Sequence, residues 1–129
     1  MRSLIVALAL TGPLWATGSL AQPAGARIDV VATNFKFAPS IVHLHRGAPY
    51  VLVLHNQAKG GHSFAARDFF AASEMPAADR ARLKDGKVEV PPGGEVSLAV
   101  APKAPGTYRF TCTHPLHNTF GMTGTIVVD

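Results

Sequence analysis

Thr107-Tyr108-Arg109-Phe110-Thr111-Cys112-Thr113-His114-Pro115-Leu116-His117-Asn118-Thr119-Phe120-Gly121-Met122-Thr123-Gly124-Thr125-Ile126-Val127-Val128 is the stretch on which the reading of this chain turns. Thr107 to Thr111 alternates aromatic and polar side chains, and Thr123 to Val128 is rich in β-branched residues, so both ends read as strands. Between them lies the only cysteine of the chain, Cys112, followed by two imidazoles, His114 and His117, and a thioether, Met122. A further imidazole, His62, stands far upstream behind Gly60-Gly61. Sulfur and imidazole donors together suit copper, and two His, one Cys and a weak axial Met form the set found in mononuclear copper sites that pass electrons.

Outward from that stretch the chain keeps a β rhythm. Arg27 to Thr33 alternates, Phe35 and Phe37 flank Lys36 before Pro39, and Ile41 to His45 ends at Arg46-Gly47. Tyr50 to His55 is a nearly continuous apolar run, as a strand buried in a sandwich requires. Val88 to Val90 is closed by Pro91-Pro92-Gly93-Gly94, Glu95 to Ala101 alternates, and Pro105-Gly106 turns the chain into Thr107. Short strands separated by Gly/Pro turns predict an all-β domain, an antiparallel sandwich of about seven to eight strands. One segment differs. Pro76, the Ala-rich run to Lys84 and Gly86 predict one short helical insertion around residues 76–84, with Phe69, Phe70 and Met75 pinning the excursion to the barrel. His43 and His45 share the outer face of their strand, with Leu44 pointing inward.

The first residues read as a leader rather than as part of the fold. Met1-Arg2 is followed by an apolar run from Leu4 to Ala16, then by Ser19-Leu20-Ala21 before Gln22. This pattern predicts a secretory signal peptide over residues 1–21 and one domain over 22–129. The apolar run is shorter than the roughly 18 residues a membrane span needs. It is also broken by Gly12-Pro13, and no cysteine adjoins the cleavage point to carry a lipid. Loss of residues 1–21 removes one arginine and no acid, which lowers the formal charge from +4 to +3. The cations are spread along the chain, so the charge favours an acidic partner over a nucleic acid. In an exported protein a lone cysteine has no internal disulfide partner. A free thiol in an oxidising compartment is best explained by a metal that occupies it.

The same residues resemble the cupredoxin family of type 1 blue copper proteins, closest to its azurin and plastocyanin branches. Cys112-Thr113-x-Pro115-x-His117 is similar to the azurin loop, whereas the spacing from His117 to Met122 matches plastocyanin-type or rusticyanin-type loops. Gly60-Gly61-His62-Ser63-Phe64 resembles the upstream histidine segment, and Phe37-x-Pro39 with Gly47 resembles the N-terminal half. The resemblance covers nearly the whole of residues 22–129. It implies a cupredoxin-like Greek-key β-sandwich with one copper held by His62, Cys112, His117 and Met122, and it leaves His114 as a spacer. It implies a weak axial contact from the Gly61 carbonyl, a polar clamp of Ser63 and Thr113 joined by Asn56, and an electron-exit patch of Pro115, Leu116 and Phe120 around His117.

The function implied is that of an exported, soluble, periplasmic electron carrier, not an enzyme. It would be a monomer cycling one ion between Cu(I) and Cu(II). Its partners would be redox proteins such as a c-type cytochrome or a copper or haem oxidoreductase, with no nucleic acid and no membrane span after signal cleavage. The alternative is copper handling with the same ligands, as a periplasmic chaperone, buffer or resistance protein. Such proteins usually favour Met-rich or His-rich exposed tracts, and this chain has three methionines including Met1. An accessory role beside a larger copper oxidase or nitrite-reducing system is a third reading. A dinuclear copper centre is disfavoured because it needs two cysteines, and the chain has one.

Overall fold

The computed structural model describes residues 25–117 and 119–129. The expected signal peptide, residues 1–21, lies outside them, as does Asn118. Among the described residues ten strands form two five-stranded sheets packed face to face. One sheet carries β1 (Ala26–Thr33), β2 (Lys36–Ala38), β4 (Tyr50–Asn56), β6 (Ser73–Glu74) and β8 (Glu95–Pro102), in the order β2-β1-β4-β8-β6. The other carries β3 (Ile41–Leu44), β5 (His62–Ala65), β7 (Lys87–Val90), β9 (Gly106–Thr111) and β10 (Thr123–Val128), in the order β3-β10-β9-β5-β7. The excess over the expected strand number includes the two-residue β6, which alternation cannot reveal in so few residues.

The pairing is mixed where the sequence predicts antiparallel strands throughout. β1 runs parallel to β4, with Ile28 opposite Leu52, and β3 runs parallel to β10, with Val42 opposite Ile126. Parallel neighbours require a crossover rather than a hairpin. The chain supplies one by placing β3 in the second sheet between β2 and β4 in the first. The inner faces form a single core. Val30, Phe37, Leu52, Leu54, Leu98 and Val100 come from one sheet, and Phe64, Phe110, Ile126 and Val128 come from the other. Phe64 and Phe110 stack at 4.8 Å, and Phe37 meets Phe110 edge-on at 5.2 Å.

The excursion between β5 and β7 holds two short helices, α1 (Arg67–Ala71) and α2 (Ala77–Arg80), with β6 between them. The expected insertion corresponds to α2, which starts at the predicted place and is shorter than residues 76–84. α1 is an addition to the reading. Its Phe69 and Phe70 are buried, and Met75 packs against the core, so the excursion is pinned as the sequence predicts. Among the described residues no helix is long and apolar enough to cross a membrane.

Candidate metal centre

Strand alternation delivers the ligands. On β5, His62 and Phe64 share the inner face, and at the end of β9 the inward parity of Phe110 passes to Cys112. The aromatic stack of Phe64 on Phe110 therefore lies directly beneath the pole where His62 and Cys112 meet. β9 and β10 pair up to Thr111 opposite Thr123, which closes residues 112–122 as a loop over that pole. Within it the Cys112 N–H donates to the Met122 carbonyl at 3.1 Å, and the Met122 N–H donates to the His117 carbonyl at 2.9 Å. These bonds tie the three loop donors to one another through the backbone. Leu116 sits at φ 67°, the left-handed conformation, immediately before His117.

Three donor atoms converge. His62 Nδ1 and His117 Nδ1 lie 3.2 Å apart, and Cys112 Sγ lies 3.8 Å from the first and 3.3 Å from the second. Within the described residues this trio is the only group of three or more His, Cys, Asp or Glu whose donor atoms gather so closely. Two imidazole nitrogens aimed at each other beside a sulfur cannot all be satisfied by one shared proton, but one soft cation satisfies all three. Burial is the main cause that lowers the His62 pKa, followed by the charges of His117 and His114, and this favours the neutral imidazole that coordination requires. With Nδ1 facing the cluster, the neutral ring carries its proton on Nε2. That atom is buried with no hydrogen-bond partner among the described residues. The ring is thus held for what Nδ1 faces, at the expense of its other nitrogen. Met122 is fully buried at the same pole, and the donor set fits copper. His62, Cys112, His117 and Met122 are placed to bind one copper.

The surroundings separate the other predicted residues. Ser63 and Thr113 meet across the two ligand segments. Their hydroxyls are 2.9 Å apart, and the Thr113 N–H donates to Ser63 Oγ at 2.8 Å. The Ser63 N–H also donates to Cys112 Sγ at 3.5 Å. Asn56 does not join this pair. Its Nδ2 donates to the Gly60 and Val90 carbonyls at 2.8 and 3.0 Å, and its Oδ1 accepts from the Ala58 N–H at 2.9 Å, so it braces the turn before His62 against β7. A Cβ on Gly61 would lie 3.6 Å from His114 Cε1, an ordinary contact, so packing alone does not demand glycine there.

His114 lies outside the donor trio. Its ring stacks on His117 at 5.6 Å, and its Nε2 is 2.8 Å from Glu89 Oε2. Leu116 and Phe120 are each 63% exposed beside the half-buried His117, and Pro115 is exposed. Sequence reasoning missed Phe35, which is exposed and meets His117 edge-on at 5.0 Å and Phe120 at 5.4 Å. Its only signal was Asn34 as a turn former, because Phe35-Lys36-Phe37 reads as strand. His43 and His45 are outward, as predicted, and His45 pairs with Asp129. His55 sits between Asp29 and Glu95.

Fold and donors together define a two-sheet protein with a mononuclear metal pole. The family model of the cupredoxin-like domain matches residues 4–128, and the chain belongs to that family. Among solved structures it is similar to auracyanin B, with 24% identity, coverage of 84% of this chain and 91% of that one, and a TM-score of 0.63. It is also similar to dithionite-reduced auracyanin from the photosynthetic bacterium Roseiflexus castenholzii, with 20% identity, coverage of 82% and 98%, and a TM-score of 0.61. A multicopper oxidase from Campylobacter jejuni matches at 12% identity with a TM-score of 0.61, over 94% of this chain but 33% of the oxidase. Compared by sequence with curated proteins, the chain matches none.

Proposed function

We propose that this protein is an exported, monomeric type 1 copper protein that carries single electrons between redox proteins in the periplasm. The observation that carries the reading is the convergence of His62 Nδ1, His117 Nδ1 and Cys112 Sγ within 3.2–3.8 Å beside buried Met122. Copper bound there would supply one-electron chemistry by cycling between Cu(I) and Cu(II). Cys112 would supply a thiolate, His62 and His117 imidazole nitrogens, Met122 a thioether and Gly61 a carbonyl oxygen to hold the ion. His62 is fixed by β5 and the other donors by the β9–β10 loop, so tertiary pairing within one sheet, and not a local peptide, would hold the frame in both oxidation states. Four protein donors leave no open position for a substrate, which is why the role is carriage and not catalysis.

Ser63 and Thr113 lock the two ligand segments together, and Asn56 steadies the turn behind His62. Pro115, Leu116 and Phe120 give His117 an apolar rim where a c-type cytochrome or a copper or haem oxidoreductase docks. The leader over residues 1–21 supports export. Voltammetry of the purified, copper-loaded protein tests the role. The expected result is a reversible one-electron wave that is absent in Cys112→Ser. Tight uptake of Cu(I) alone, with no reversible wave and ready transfer to a chelator, would overturn carriage and favour copper handling.

A further inference from the structure

β1 and β2 are joined by a two-residue turn, Asn34-Phe35, between the paired Thr33 and Lys36. Of these two residues only Phe35 has a positive φ, 58°. Turns that need a positive φ at their second central residue take glycine or asparagine there. A bulky aromatic in that conformation is an outlier, and such strain persists where the surrounding structure uses the side chain. The use is visible. Phe35 belongs to the sheet opposite the ligand loop, yet its ring reaches across the pole and meets His117 edge-on at 5.0 Å with planes 77° apart. It also meets Phe120 at 5.4 Å. His117 also stacks on His114 at 5.6 Å, and His114 is itself held by Glu89. The His117 ring is therefore in contact with both Phe35 and His114 while its Nδ1 points at Cys112 and His62.

We propose that Phe35 is a positioning residue for the metal centre: presented from a strained turn of the opposite sheet, it holds the His117 ring in its metal-facing orientation and so slows loss of the ion. The inference rests on the copper reading of the site. Without Phe35, His117 keeps its donor atom but loses one wall, and the ring samples orientations in which Nδ1 is withdrawn. An aromatic edge contact of this kind corresponds to about a two- to tenfold effect on an equilibrium or rate.

The test compares Phe35→Gly with Phe35→Tyr in the full domain. Glycine relieves the positive φ, so the metal-free variant should resist denaturant at least as well as wild type. Extraction of Cu(II) by EDTA should nevertheless be about two- to tenfold faster in Phe35→Gly, with a shifted reduction potential. Phe35→Tyr should restore both to wild-type values. In the metal-free protein, nuclear Overhauser contacts from the His117 ring to the His114 ring should weaken in Phe35→Gly and persist in Phe35→Tyr. Copper loss, potential and ring contacts unchanged in Phe35→Gly would overturn the proposal while leaving the copper site intact, as would a Tyr variant that behaves like Gly. A wild-type protein that takes up no Cu(II) would overturn the copper reading itself, and this proposal with it.

Discussion

His117 and His114 are three residues apart in one loop, and the difference between them is one of direction. His117 turns Nδ1 toward Cys112 and His62, whereas His114 turns Nε2 toward Glu89. Removing each side chain should therefore have opposite consequences. In His117→Gly, added imidazole should enter the copper's vacated position and restore the visible spectrum. In His114→Gly, imidazole should have no effect, and the reverse result would show the ligands misassigned. Ser63 offers a second contrast. Ser63→Ala leaves the Thr113 N–H without its acceptor. Loss of this bond between buried Ser63 and exposed Thr113 should lower the unfolding free energy by about 1 kcal/mol, measured by denaturant titration. At this scale the four donors were legible because thiol, imidazole and thioether are chemically conspicuous at their spacings. Phe35 was not, because a residue's type does not report its φ.

Among the elements, β10 shows how closely packing constrains a strand whose alternation is plain in the sequence. Gly124 lies opposite Phe110, and a Cβ there would fall 2.1 Å from Phe110 Cζ, a clash with the ring of a fully buried side chain. Gly124→Ala should cost about 1–3 kcal/mol of stability, and an unchanged denaturation midpoint would contradict that packing. The outer face of β1, β4 and β8 carries a different constraint. Arg27 and His55 both hydrogen-bond Asp29, and these bonds, Arg27 first, lower its carboxyl from 3.8 to about 2. A depressed carboxyl contributes stability above its ordinary range and loses it as pH falls through its folded value. Asp29→Asn should therefore flatten the stability profile between about pH 4 and pH 2, by a small amount because the pair is exposed.

Strands β8, β9 and β10 were readable from alternation to within a residue, since each shows one face to the core. The parallel pairings of β1 with β4 and β3 with β10, the two-residue β6 and the helix around Phe69-Phe70 were not. Pairing partners are set by tertiary packing, and elements this short carry little more than one period of pattern. His55 was opaque for the same reason, because Asp29 and Glu95 reach it from neighbouring strands.

The molecule as a whole gathers donors that are distant in the chain, and the metal pole is assembled only when β5 has joined β9 and β10 in one sheet. His62, on β5, and the β9–β10 loop are far apart in sequence, so a metal that binds the trio binds the folded state and stabilises it by mass action. Free copper at a hundredfold its dissociation constant should add about 2.7 kcal/mol to the unfolding free energy, and Cys112→Ser should abolish most of that gain. The central claim, that this fold holds one copper through Cys112 thiolate for one-electron exchange, is tested most directly by optical titration of residues 22–129 with Cu(II). The account predicts an intense visible thiolate-to-copper band that saturates at one equivalent, bleaches with a one-electron reductant, returns on reoxidation and is missing in Cys112→Ser. A protein that stays colourless, or whose band survives in Cys112→Ser, would contradict it.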